Sequence, residues 1–115
     1  MPVEFEPVER TPLKLSFIKS GQVFIDILTA DDFRKNEDRF QHEEDTDKIL
    51  DWPGYVCSIV SLAVVDADGR KIWTEAEVAG LEKRRHAEAV KKVFAHFGRD
   101  PDEDPAKKNS PPAKS

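Results

Sequence analysis

A chain of 115 residues suits one domain and buries roughly 60 to 70% of its unfolded surface, enough for a modest core. Charged residues make up 36% against 38% hydrophobic, with a formal net charge of −5, so the surface carries mixed charge and lacks the basic excess of a nucleic-acid footprint. The single cysteine, Cys57, excludes an internal disulfide, fits a reducing cytoplasm and, inside an apolar run, reads as a small core residue.

The opening MPVEFEPVER lacks the basic start and apolar run of a secretion signal, so export is not expected. Residues 13–18 (LKLSFI) and 22–28 (QVFIDIL) are β-branched and aromatic-rich segments separated by Lys19, Ser20 and Gly21, which predicts a hairpin over 13–28. Leu13, Leu15 and Phe17 share one face of the first strand, and Val23, Ile25 and Ile27 one face of the second. Such a hairpin is marginal alone, so it must pack on the helices or pair its open edge with another copy. Thr29 with Asp32 forms an acidic variant of the capping box and predicts a helix over about 30–41. Its apolar face is sparse: Phe33 and Phe40 lie two turns apart, and charged residues cover the rest. Residues 42–48 (HEEDTDK) read as a helix-end connection.

A buried helix is predicted over 49–65, with a break or new start near Pro53, since proline favours a first turn. From Tyr55 to Val65 the sequence is hydrophobic on all sides, which marks the central helix, with Val60 and Leu62 expected at the middle of the core. β-Branched residues at 56, 59, 60, 64 and 65 also suit a buried strand, and the length of the run favours helix. At about 11 residues the run is far short of the ~20 of a membrane helix. Asp66, Asp68 and Gly69 then demand a turn. Thr74 and Glu77 form a capping box that opens a short helix over 75–80. A longer helix over 83–97 carries the stripe Ala87, Val90, Val93, Phe94 and Phe97, with Gly98 as its C′ residue. Residues 99–115, with four prolines and no large hydrophobe, read as a disordered tail. The expected fold class is α+β, mainly α: an N-terminal β-hairpin packed on a small bundle of about four helices, one domain over 1–98.

No nucleophile with a base, phosphate loop or spaced metal cluster occurs in the sequence. His42, His86 and His96 are scattered. Asp66, Asp68 and Glu77 fall at positions 1, 3 and 12 of a calcium loop, but Arg70 and Lys71 occupy positions that require an oxygen ligand and a glycine. Lys83, Arg84, Arg85, Lys91 and Lys92 read as a wet face opposite the apolar stripe, since Phe94 and Phe97 belong to the core. The chain is therefore read as non-enzymatic, with no catalytic, cofactor-binding or metal residue and no nucleic-acid or membrane partner.

The order of two motif blocks carries a resemblance. Val23 to Phe33 (VFIDILTADDF) runs strand, leucine and T-A-x-D, and Val64, Val65, Asp66, Asp68, Gly69, Ile72, Trp73, Thr74, Glu75 and Glu77 follow a "VVD-x-DG, I-W-T, Glu-rich helix start" pattern. Over about residues 12 to 98 the chain resembles the tail assembly chaperones of long-tailed, lambda-like bacteriophages (siphoviruses). The resemblance implies a late protein of virion morphogenesis that binds and solubilises the tape measure protein, helps recruit the major tail tube protein, and is absent from the mature virion. It also implies a homo-oligomer in the host bacterial cytoplasm and a longer form made by ribosomal frameshifting, for which codons at Lys107 to Asn109 could supply the slip site. Phe17, Phe24, Phe33 and Phe40 are the candidate partner-binding residues. The alternative reading is a small structural virion protein, a head-tail connector or tail completion protein.

Overall fold

Seven consecutive residues, Tyr55 to Ser61, are all buried, and the remaining elements are arranged around the helix that carries them. The structure, a computed structural model, describes residues 2–42, 45–49 and 51–100. In chain order these form β1 (Thr11–Leu13), β2 (Val23–Ile25), α1 (Ala30–Phe40), β3 (Gln41–His42), β4 (Asp45–Ile49), α2 (Trp52–Ala63), β5 (Val64–Val65), α3 (Glu75–Ala79) and α4 (Lys83–His96). The fold is α+β and mainly α, as the sequence implies. α2 packs against α1, α3 and α4.

Local chemistry accounts for the starts of α1, α2 and α3 and for the end of α4. Thr29 and Asp32 exchange bonds at α1, the Thr29 N–H reaching Asp32 Oδ2 at 2.8 Å and the Asp32 N–H reaching Thr29 Oγ1 at 3.1 Å. Thr74 and Glu77 repeat the exchange at α3, at 2.9 and 3.1 Å. At α2, Pro53 lies in the first turn and Asp51 accepts the Gly54 N–H at 3.0 Å. A Cβ on residue 54 would strike the Asp51 carboxylate, so the cap requires glycine there. α4 ends in a Schellman motif: Gly98 takes φ +70°, its N–H reaches the Ala95 carbonyl at 3.0 Å, and the Arg99 N–H reaches the Phe94 carbonyl at 2.8 Å.

Several boundaries differ from the sequence reading. The hairpin is present, with strands at 11–13 and 23–25 instead of 13–18 and 22–28. The first strand stops at Leu13 because the next residues serve α4: the Ser16 N–H and Oγ both donate to Glu88, and the chain turns there, bonding the Ile18 N–H to the Leu15 carbonyl at 3.1 Å. The second strand stops because Asp26 Oδ1 accepts the Ile27 N–H at 2.9 Å, which leaves Ile27 45% exposed and off the face it was expected to share. Of residues 42–48, expected as a connection, His42 and residues 45–48 instead contribute to an antiparallel ribbon of β3 and β4, and residues 43 and 44 lie outside the described residues. Asp51 fixes the helix start at Trp52, so Ile49 ends a strand instead of opening the 49–65 helix.

The same helix ends two residues early. Val64 and Val65 turn extended and pair antiparallel with β2, Val64 opposite Ile25 and Val65 opposite Phe24, giving a three-stranded sheet in the order β1-β2-β5. The Asp26 N–H joins this ladder at the Ala63 carbonyl, 2.7 Å away. β-Branched side chains at 64 and 65 suit the strand. Leu62, expected at the core centre, is only half-buried on the flank of α2, whereas Val60 is 0% exposed. α3 and α4 each end one residue before the expected 80 and 97. The domain also runs past 98, because Arg99 is bonded into it; the expectation of a disordered tail otherwise concerns 101–115, outside the described residues.

Val60→Asp places an unpaired charge in the core and is expected to cost at least about 4 kcal/mol, enough to unfold a small domain. Leu62→Asp, on the flank, should remain folded with a smaller loss. Urea denaturation of the two proteins checks the difference, and equal destabilisation would contradict the placement of Leu62.

Candidate partner-binding surfaces

The four candidate rings occupy different environments. Phe17, in the loop after β1, is half-buried against the core, stacked on Trp73 with centroids 6.2 Å apart, with the Arg85 guanidinium 5.3 Å from its own centroid. Phe33 on α1 meets Phe97 edge-on at 5.2 Å, and Phe40 meets Tyr55 edge-on at 6.3 Å. Both therefore anchor α1 to the core, as amphipathic spacing requires. Phe24 stands apart from the other three. Flanked in β2 by the buried Val23 and Ile25, it falls on the opposite face of the sheet, across from Pro12 and Val65, half-buried and outside the core cluster.

The open edge of β1 is a poor template for another strand. Phe24 and Asp26 direct their backbone groups to β5, so Val23 and Ile25 face β1 and pair with Leu13 and Thr11. Pro12, between those two, turns its backbone outward and has no N–H to offer. Edge-to-edge pairing of hairpins, anticipated from the sequence, therefore meets a missing donor at the centre of the strand.

A polar seam links α1 to α2 and α3. Ser58 Oγ donates to Asn36 Oδ1, Asn36 Nδ2 donates to the Asp32 carbonyl at 2.9 Å, and Arg39 Nη1 reaches Ser58 Oγ at 3.2 Å and Glu75 Oε2 at 3.0 Å. Asn36 and Ser58 are buried, and each has its partner. Arg99 joins α1 to α2 a second time: its guanidinium lies 4.6 Å from the Phe33 centroid and donates to Tyr55 Oη at 2.8 Å. Burial pushes the Tyr55 phenol up, opposed by Arg99, and burial also raises the Cys57 thiol. These shifts suppress ionisation in the core and give no reactive thiolate.

Glu88 on α4 is the most perturbed carboxylate among the described residues. It accepts Ser16 Oγ at 2.5 Å, the Ser16 N–H at 2.6 Å and Lys92 Nζ at 3.1 Å, with the Ser16 hydroxyl the largest influence, and its pKa falls from 4.5 to about 2. Lys92 also donates to the Lys14 carbonyl. This clamp holds the loop after β1 against α4, and a cleft of about 430 Å³ opens beside it, lined in part by Leu13, Leu15, Ile18 and Val23.

The Asp66–Arg70 turn is structural. Asp66 Oδ1 accepts the N–H groups of Asp68 and Arg70, both at 2.9 Å, which lowers its pKa with the Arg70 bond as the largest cause. Gly69 takes φ +84°, and a Cβ there would run into the Arg10 guanidinium. Among the described residues no group of three or more His, Cys, Asp or Glu could hold a metal ion, and no helix is long and apolar enough to cross a membrane. His86, scattered in the sequence, has its Nδ1 3.0 Å from the Val78 carbonyl.

Sequence reasoning missed two features. Arg99 sits in a segment read as tail, and its role depends on long-range placement against Phe33 and Tyr55. The arm before β1 exposes Val3, Phe5 and Val8 at 79, 89 and 71%. Its signal was available in the apolar residues spaced among glutamates of VEFEPVE. No protein-family model, curated protein or solved structure matches the chain.

The Glu88 clamp makes a signed prediction about pH. Because the folded-state pKa is depressed, the clamp stabilises fully above pH 4.5 and its contribution is lost as pH falls towards about 2. Glu88→Gln should therefore melt below the wild type at neutral pH, with the gap closing on acidification from pH 4.5 to about 2. A gap that is constant across this range would show that Glu88 is not held as a carboxylate.

Proposed function

We propose that the chain is a tail assembly chaperone of long-tailed bacteriophages, acting in the host bacterial cytoplasm on the tape measure protein. In this reading it is not an enzyme. It binds the tape measure protein along its length, keeps it soluble, helps recruit the tail tube protein, associates with itself and with a frameshifted longer form, and leaves before the virion is complete.

The observation that carries the reading is the ordered pair of motif blocks, 23–33 and 64–77, and the fold supports treating them as one unit. β2 of the first block pairs with β5 of the second, and each block ends in a reciprocal capping box, at Thr29/Asp32 and at Thr74/Glu77. Of the four aromatic candidates Phe24 is the one whose ring is not committed to the core cluster, so it is the proposed contact for an extended or helical apolar segment.

Coexpression with the tape measure protein of the same genome tests the proposal. The expected result is a larger soluble fraction of tape measure protein and its co-purification with the chaperone, weakened by Phe24→Ser in protein that stays folded by circular dichroism at the assay temperature. Insoluble tape measure protein with nothing co-purifying, even with the longer form supplied, would overturn it. Persistence of the chain in purified mature virions would favour a structural virion protein instead.

A further inference from the structure

The arm at residues 2–10 has neither helix nor strand and is the largest concentration of exposed apolar side chains among the described residues, at Val3, Phe5 and Val8. Between residues 3 and 9 it carries Glu4, Glu6 and Glu9 and no cation. Phe5 is flanked in sequence by Glu4 and Glu6. The cleft beside the Glu88 clamp has the complementary character. Its floor is Leu13, Leu15, Ile18 and Val23, and its rim carries Lys14 and Lys92, with Lys19 on the same loop. Lys14 and Lys19 are exposed, and neither forms an ion pair among the described residues.

We propose that the cleft receives the N-terminal arm of a second copy of this chain, with Phe5 as the apolar anchor and Glu4 and Glu6 meeting Lys14 and Lys19. The arm cannot readily fill its own cleft. It leaves β1 at Arg10, which is fixed by the Arg10 Nε to Asp26 Oδ1 bond at 3.1 Å, while the cleft lies at the Leu13 end of the strand. To return, the arm would have to reverse at Arg10 and run back along an edge whose central outward position, Pro12, offers no donor. Docking in trans needs no reversal. Because arm and cleft are different surfaces, one contact leaves an arm and a cleft free on the pair, which either close on each other as an arm-exchanged dimer or join further copies head to tail into a row. A row of copies of this kind suits a long partner, so the inference deepens the self-association in the proposed function and rests on that part of it alone.

Sedimentation velocity on the purified full chain, without tape measure protein, tests the arrangement separately from the solubilisation assay. The wild type should assemble with rising concentration and less so at high salt. Phe5→Glu, at a position 89% exposed in the single chain, should keep its circular dichroism and melting temperature while association weakens about tenfold or more. Lys14→Glu combined with Lys19→Glu should do the same from the cleft side. Mixing the two variants should then give one-to-one dimers, since each mixture still pairs an intact arm with an intact cleft. A wild type monomeric at millimolar concentration, unchanged assembly of Phe5→Glu, or variants that fail to combine would each overturn the proposal.

Discussion

No side chain of α2 between Tyr55 and Ser61 is left open to water, and this constraint governs the arrangement of the other elements. A helix apolar on one stripe needs one wall; a helix buried all round needs walls on every side. α1, α3, α4 and the sheet supply them. The two serines inside that run raise the demand, because a buried hydroxyl without a partner costs about 1–3 kcal/mol. Ser58 is satisfied by Asn36 of α1 and Ser61 by the Trp73 carbonyl at 2.9 Å. These bonds are specific where apolar contact is permissive. They fix the rotation of α1 and the position of the segment entering α3, so the polar atoms of the central helix select one packing among the several that hydrophobicity alone would allow.

Much of this was legible in the sequence, and the reasons differ from element to element. The capping boxes at Thr29/Asp32 and Thr74/Glu77, the Asp66 turn and the Gly98 stop are local devices whose partners lie within five residues, so the residue types suffice. The α4 stripe is a periodic signal over fourteen residues: Val90, Val93 and Phe94 are buried as read, whereas Ala87 is exposed and Ala89 takes its place on the buried face, since two small alanines two residues apart do not mark in sequence which one faces the core. Val64 and Val65 are different. They continue an apolar run that periodicity assigns to helix, and only the presence of β2 as a pairing partner, forty residues earlier, decides for strand. Leu62 shows the limit of composition: in a run hydrophobic on all sides, sequence does not say which residue faces the weaker wall.

The candidate surface was legible to a lesser degree. Two phenylalanines spaced along a sparse helix announce an anchor, and nothing local distinguishes an anchor into the same chain from one into a partner. In the fold Phe33 and Phe40 both have intramolecular aromatic neighbours, while the strict alternation of β2 puts Phe24 on the sheet face away from the core cluster, beside the fully buried Val65. The hairpin edge follows the same pattern. Its exposure could be anticipated, but the outward direction of Pro12 depends on the register between β1 and β2, which only the paired strands define.

The Schellman stop at Gly98 and the Arg99 side chain together fix how α4 meets the rest of the bundle. Arg99 is held at its backbone by the Phe94 carbonyl and at its guanidinium by Tyr55 and the face of Phe33, so one residue joins the end of α4 to α1 and α2. Sliding α4 along its axis would break these contacts together, so the end of the last helix acts as a latch that registers three helices at once.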